Sequence, residues 1–311
     1  MQKICEKMQQ SFNFDCIGYS EKEARQNMNN KVIADLHSHT VNSDGTFTVE
    51  EVIQKAEKKG LQIVAITDHD TVDGLRDDEK IKEYERKYGV EVIRGIEMSC
   101  NLDGKDVHIL GYFLNLGDKE FLKELDRIAE IRDERNEKIM QKLAKLNLPV
   151  TKEDLAEVVQ GNITSKAHFA EVMVKKGYVT CKSDAFKNYL GKSGAAFVEK
   201  RDYKPANAVD ILVKNGAFVS LAHPKLITDN VDEVEKLIVD LMKHGLKGLE
   251  VNYYSFSNKD KETYRKIAEK YGLIITGGSD FHGGNRVEVS LGETGLNQEE
   301  YNLLKKSLKN I

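Results

Sequence analysis

The chain has 311 residues, 40% of them hydrophobic and 32% charged, which supports a sizeable core and excludes a largely disordered protein. Its net charge is −4, from 47 basic and 51 acidic residues, and this argues against duplex DNA as a partner. No apolar run approaches the roughly 18 residues of a membrane span, so no membrane association is expected. The opening stretch MQKICEKMQQSFNFD lacks the apolar centre of an export signal, and Cys5, Cys16, Cys100 and Cys181 are too scattered to form a pair. A reducing, cytoplasmic compartment is therefore expected.

Residues 1–30 read as an N-terminal extension of unknown role, with one helix near Glu21–Met28. From Lys31 onwards, short β-rich runs alternate with charged helical segments, the pattern of βα units. The runs are Val32–His37, Ile63–Asp68, Val90–Glu97, Val107–Phe113, Ala217–His223, Leu246–Val251 and Leu273–Gly277. Helices are expected over Val49–Lys59, Asp77–Lys87, Ala206–Lys214, Val231–His244 and Lys259–Tyr271, several of them stopped by Gly60, Gly89, Gly216, Gly245 or Gly272. The third and fourth runs flank the turn dipeptide Asp103-Gly104, which predicts a hairpin and a sheet that is not purely parallel.

Residues 118–197 break this rhythm. Phe121, Leu125, Ile128 and Ile131, then Ile139, Leu143 and Leu146, recur at helical spacing, and more helix is expected at Lys152–Val159 and Ala167–Lys176. The expected organisation is a barrel made of residues 31–117 and 198–311, interrupted by a helical cap at 118–197. An insertion after a barrel strand lies over the rim where such enzymes place their chemistry.

Histidines carry the main chemical signal. His37 and His39 form an H-x-H pair, and residues two apart on an extended strand point to the same side. Asp44 follows in a Ser-Asp-Gly loop, and His69, Glu97, His108, His223, Asp280 and His282 all fall at or near strand ends. These six imidazoles and three carboxylates would be costly to bury together without cations. Mixed nitrogen and oxygen donors without thiolates suit Mn, Fe or Zn, and nine ligands suit two or three divalent ions acting on a phosphate ester. Other features read more plainly. His244 caps a helix end, and Arg132 and Arg135 are assigned to a solvated helix face. Tyr253 and Tyr254 suit either base stacking or packing, and Gly191-Lys192-Ser193-Gly194 lacks the preceding strand of a phosphate loop.

The ordered segments Asp35-Leu36-His37-Ser38-His39-Thr40, Ser43-Asp44-Gly45, Thr67-Asp68-His69-Asp70, Gly95-Ile96-Glu97, His108-Ile109-Leu110-Gly111-Tyr112, Ala222-His223-Pro224 and Gly278-Ser279-Asp280-Phe281-His282 resemble the PHP family of metal-dependent phosphoesterases. The resemblance implies an α/β fold, a distorted seven-stranded (β/α) barrel with an inserted helical domain and a trinuclear metal centre. It further implies that His37, His39, Glu97 and Asp280 hold one metal, and that Asp44, His69 and His282 hold a second. Glu97, His108 and His223 would hold a third, with Glu97 bridging. Asp44 stands where many relatives have His, which resembles the branch of nucleoside 3′,5′-bisphosphate phosphatases, AMP phosphatases and the short-RNA 5′–3′ exonuclease. That branch contacts substrate phosphate through an Arg-x-His-Phe-Ala segment; here Lys166 replaces the Arg, followed by His168.

The expected substrate is a small nucleotide, sugar phosphate or short RNA, attacked by a metal-bridging hydroxide, with His168 a candidate acid for the leaving group. The competing readings are a ribose cyclic-phosphate phosphodiesterase, a C–N hydrolase of the amidohydrolase type, and a metal-free accessory module.

Overall fold

The computed structural model describes residues 31–199 and 203–310, so the helix expected near Glu21–Met28 lies outside the described residues. Seven strands form one sheet in sequence order: β1 (Ala34–Asp35), β2 (Ile63–Ile66), β3 (Glu91–Leu102), β4 (Lys105–Tyr112), β5 (Phe218–Leu221), β6 (Gly248–Tyr253) and β7 (Ile274–Gly278). β1, β2 and β3 run parallel, as do β5, β6 and β7, while β4 is antiparallel to both its neighbours. The Asp103-Gly104 turn, with φ of 50° and 75°, makes the expected hairpin. Pairing continues right up to that turn, so β3 extends beyond Glu97, which the sequence reading placed at the strand end.

Hydrogen bonds from the β1 side to the β7 side nearly close the sheet into a barrel. Leu36 N–H donates to Gly277 O at 3.1 Å and His39 N–H to Phe281 O at 2.9 Å. A Cβ on Gly278 would stand 2.3 Å from the His37 nitrogen, so this closure requires a residue without a side chain. The bridge between Ser38 and Phe281 keeps the chain extended past β1, and this holds His37 and His39 on one side.

The outer helices of the first half are α1 (Val49–Lys59) and α2 (Asp78–Tyr88). Thr48 and Glu51 form a capping box at the start of α1, and Gly60 ends it at φ 71°. A 27-residue helix, α3 (Lys119–Lys145), follows β4. Short helices come next: α4 (Lys152–Ala156), α5 (Lys166–Lys175) and α6 (Lys182–Ala185). The chain then returns to the barrel pattern with α7 (Pro205–Lys214), α8 (Val231–Met242), α9 (Asn258–Tyr271) and α10 (Gln298–Ser307).

Packing divides α3 between two cores. Phe121, Leu125 and Ile128 join the barrel cluster of Met98, Val107, Val219 and Leu249. Ile139 and Leu143 join a separate cluster with Leu155, Phe169, Met173 and Leu190. At about 1.5 Å per residue α3 is roughly 40 Å long, enough to serve both. Among the described residues no helix is long and apolar enough to cross a membrane.

Candidate metal centre

The parallel strands deliver their C-terminal ends to one rim of the barrel. β4 runs the other way, so its N-terminal half reaches that rim, and His108 sits opposite Ser99 of β3. All nine side chains named from the sequence converge there, and they are buried or nearly so.

His37 Nε2 lies 3.2 Å from Glu97 Oε2 and 3.4 Å from Asp280 Oδ1; His39 Nε2 lies 3.2 and 3.1 Å from the same two atoms. Two donors each about 2.1 Å from one ion stand roughly 3.0–3.4 Å apart, so this group has the spacing of a coordination shell. His39, Asp44, His69 and His282 form a second group, with His282 Nε2 3.2 Å from Asp44 Oδ1. Around Glu97 lies a third: His69 Nδ1 is 3.1 Å from Oε2, while His108 Nδ1 and His223 Nε2 are 2.8 and 2.9 Å from Oε1. The structure thus brings His39 and His69 between groups that the family resemblance keeps apart.

Whether cations fit can be tested on polar atoms without partners. Among the described residues, His37 Nε2, both ring nitrogens of His39, Asp44 Oδ1, Glu97 Oε2 and His223 Nδ1 are buried without a hydrogen bond. Leaving one such atom unsatisfied costs about 1–3 kcal/mol. Their gathering at one point matches a site whose missing partners are cations.

The charges agree. Burial works to push the carboxyls of Asp44, Glu97 and Asp280 up, but the surrounding imidazoles hold all three well below the ordinary range. His39 is pulled down by burial, yet Asp280 and Glu97 push it up to about 10. His69, its ring 4.5 Å away, is pulled down to about 3, first by burial and then by the neighbouring imidazoles against the pull of Glu97 and Asp44.

Backbone and buried acids hold the ligands in place. Asp70, His223 and Asp280 adopt φ of 55°, 24° and 55°, conformations that cost non-glycine residues about 1–3 kcal/mol each and persist only when the surroundings impose them. Asp35 accepts from the backbone of His37, Ser279 and Gly292. Its carboxyl is pushed up to about 6 by burial, against those bonds. Asp68 accepts from Thr40 and Ser43 and so shapes the loop carrying Asp44. Glu250, in the middle of β6, lies 2.9 Å from His37 Nδ1. His282 Nδ1 donates to Asp280 O, which aims its Nε2 at Asp44. The sequence reading quoted Asp35 and Asp68 within motif segments and gave none of the three acids a role; Asp35 and Glu250 are each a lone acid inside an apolar run, whereas Asp68 sits beside His69 and Asp70.

A cleft of about 290 Å³ opens beside the centre, lined by Asp44, His69, His108, Arg132, Arg135, Lys166 and Lys192 among others. Here the structure corrects the sequence reading. Arg132 and Arg135 are not solvated: they are only 9% and 7% exposed and face the cleft. Arg132 Nε donates to Asp70 Oδ2 at 2.8 Å, and a second guanidinium nitrogen of Arg132 reaches the same oxygen. Arg135 Nε has no hydrogen-bond partner. Burial, then the neighbouring Arg132, lowers the Arg135 guanidinium to about 10, and it stays charged at neutral pH.

Lys166 lines the cleft with its ammonium 4.7 Å from the Phe197 ring centre. His168 borders a neighbouring cavity with Val41, Gly45 and Glu171. Its Nδ1 accepts from Ser165 N–H at the start of α5, and burial lowers its pKa. Tyr253 is buried, and its hydroxyl donates to Asp280 Oδ2 at 2.7 Å, so packing is its role rather than base stacking. Tyr254 faces the Arg286 guanidinium, which also pairs with Asp280. His244 bonds Asp210 at 2.9 Å on α7.

Comparisons with known proteins now bear on this centre. A 5′-3′ exoribonuclease of Haemophilus influenzae is 31% identical over 248 residues, 80% of this chain and 89% of that protein. A phosphoribosyl 1,2-cyclic phosphate 1,2-diphosphodiesterase of Eggerthella lenta is 30% identical over 256 residues, 81% of this chain and 95% of its own length. A 3′,5′-nucleoside bisphosphate phosphatase of Chromobacterium violaceum is 28% identical over 249 residues, 80% and 86% of the two chains. In fold, the chain resembles the crystal structure of a metal-dependent phosphoesterase from Bifidobacterium adolescentis, with TM-score 0.77 and 24% identity, over 87% of this chain and 94% of that one. The model of the PHP domain matches residues 35–278, a span that carries seven of the nine converging side chains and ends just before Asp280 and His282, and the chain belongs to the PHP family.

Proposed function

We propose that the chain is a metal-dependent phosphoesterase acting on a small nucleotide or sugar phosphate, with a 3′,5′-nucleoside bisphosphate, AMP or a short RNA 5′ end as the leading substrates. One observation carries the reading. A rim of closely spaced imidazoles and carboxylates opens directly into a cleft whose far wall offers the buried guanidinium of Arg135, bonded to Asn136 through one terminal nitrogen and with its Nε unpartnered. Small-ligand sites commonly occupy roughly 300–1,000 Å³, so the cleft suits a small molecule.

His37, His39, Glu97 and Asp280 would hold one ion, Asp44, His69 and His282 a second, and Glu97, His108 and His223 a third. Mn, Fe or Zn suits this donor set. Such ions, when bound, acidify water and offset the charge of a phosphate. The chain's own residues do the rest. Glu97 lies against donors of more than one group and ties the centre together. Residues 118–197 act as a cap, with Arg135 and Lys166 meeting the phosphate that is not hydrolysed. Arg132 is held by Asp70 and lends field rather than a free hydrogen-bonding edge. His168 keeps its Nε2 for a proton or a phosphate oxygen, since Nδ1 is engaged by α5. Scattered cysteines, with Cys100 buried and Cys181 exposed, suit a reducing cytoplasm.

The test is a hydrolysis assay, with products separated by chromatography, on Mn-supplemented protein with nucleoside bisphosphates, AMP, 5′-phosphorylated short RNA, ribose cyclic phosphates and an amide control. Phosphate release from at least one nucleotide substrate, abolished by chelation, is expected. Turnover of the amide alone would overturn the reading. Turnover of the cyclic phosphate alone would favour the phosphodiesterase chemistry named for the Eggerthella lenta relative.

A further inference from the structure

Glu250 stands apart from the other buried acids. Its side chain is wholly buried in β6, and its two oxygens go to two different members of the metal centre. Oε1 lies 2.9 Å from His37 Nδ1, and Oε2 accepts the backbone N–H of His223 at 2.7 Å. His37 belongs to the group around Asp280, whereas His223 rests on the opposite oxygen of Glu97. Asp35 and Asp68 also order the rim, but they bond backbone and hydroxyl groups and touch no ligand imidazole.

The chemistry of the two bonds differs. A carboxylate only accepts, so His37 must carry its proton on Nδ1, and its Nε2 is left facing Glu97 and Asp280. The second bond holds the N–H of a residue at φ 24°, where a non-glycine backbone stays only under constraint. Filling the space alone would not call for an acid, because an apolar side chain of that size packs a strand interior without the desolvation cost of a carboxylate.

We propose that Glu250 is a positioning residue that couples two ends of the metal centre: one carboxylate sets the His37 tautomer and the His223 backbone together. The inference rests on the metal centre of the proposed function and is independent of the substrate.

Two substitutions separate positioning from packing. Glu250→Gln keeps the volume but offers one acceptor and one donor. His223 N–H needs the acceptor, so the amide N–H₂ turns to His37 Nδ1 and favours the tautomer with its proton on Nε2, where an ion would bind. Glu250→Asp keeps a carboxylate and leaves a gap. Full-length protein is stripped by chelation and titrated with Mn²⁺ by calorimetry, and the metal-free melting temperature is measured in parallel.

For Glu250→Gln, a roughly ten- to hundredfold loss of affinity in part of the Mn²⁺ equivalents is expected, with at least one equivalent unchanged. Glu250→Asp is expected to lie between that variant and wild type. Unchanged affinity in Glu250→Gln, equal weakening of every equivalent, or a Gln variant that binds better than Asp would overturn the proposal. If Glu250→Gln does not fold, weaker Mn²⁺ binding by Glu250→Asp at an unchanged metal-free melting temperature supports it, and unaltered binding overturns it. Wild-type protein that binds no Mn²⁺ at all would instead overturn the metal centre itself.

Discussion

The two sides of the cleft are built by different means. On the barrel side, nine imidazoles and carboxylates leave short strands and tight turns, and buried acids bond the backbones and rings of several of them. On the other side, residues from α3 and α5 reach in from helices, and Arg132 is held by the buried Asp70. The helical side presents charge to whatever occupies the cleft. The proposed function thus assigns the chemistry to the barrel and the choice of substrate to the insertion.

Substitutions on the two sides should separate along this line. The largest effect is expected for Glu97→Ala, which removes the carboxylate shared by the groups of ligands. Turnover should fall on the order of 10³-fold or more, together with loss of a metal equivalent measured by elemental analysis. Equal losses in His244→Ala, whose ring bonds Asp210 away from the rim, would show that the histidines have been sorted wrongly.

On the helical side the largest effect should be on stability. Arg132→Met leaves Asp70 buried without its partner, at a cost of about 3–5 kcal/mol. That should lower the melting temperature by roughly ten degrees. Adding Asp70→Asn should recover part of the loss; no recovery would mean that the pair is not what the guanidinium stabilises. The pair also sets an acid limit. Arg132 holds Asp70 below its ordinary value of 3.8 against the opposing effect of burial, so its stabilisation is present above that pH and lost as pH falls below it. Wild type should lose more stability than Arg132→Met on acidification through that range.

Arg135→Ala should be milder and of another kind. The charge-assisted bond it would lose is worth about 1.5–3 kcal/mol, a ten- to hundredfold rise in KM with metal content intact. A fall in metal content would break the distinction between the two sides. Lys166→Ala should have the smallest effect, raising KM for a bisphosphate while leaving a simple monophosphate ester nearly unchanged. Lys166→Arg should improve use of bisphosphates, because a guanidinium grips phosphate in two places where an ammonium grips at one point. Variants at Lys166 that match wild type on both substrates would remove it from the specificity wall.

The same contrast explains what the sequence made legible. Ligands on strand ends announce themselves: His37 and His39 share a face by alternation, and Asp280 and His282 repeat the spacing after β7. Seven strands, the hairpin and the helical interruption could be read because period and turn residues are local properties. The cleft wall could not be read so directly, because charged residues are ordinary on helices.

A finer signal was nevertheless present. Phe121, Leu125, Ile128, Arg132, Arg135, Ile139 and Leu143 form one unbroken buried stripe on α3, and the two arginines occupy positions where the apolar pattern skips two turns. The acids Asp35, Asp68 and Glu250 were hidden for another reason: their partners are backbone groups and rings brought near by barrel closure, which no local spacing encodes.

The long helix has a consequence for how the insertion could be exchanged. Its first turns complete the barrel's apolar packing, while its last turns nucleate a separate core. A graft that swapped residues 118–197 wholesale would open a hole in the scaffold. One that kept the helix through Arg132 and exchanged the remainder would leave the scaffold sealed. A recognition surface exchanged downstream of that junction would thus leave the barrel's packing intact.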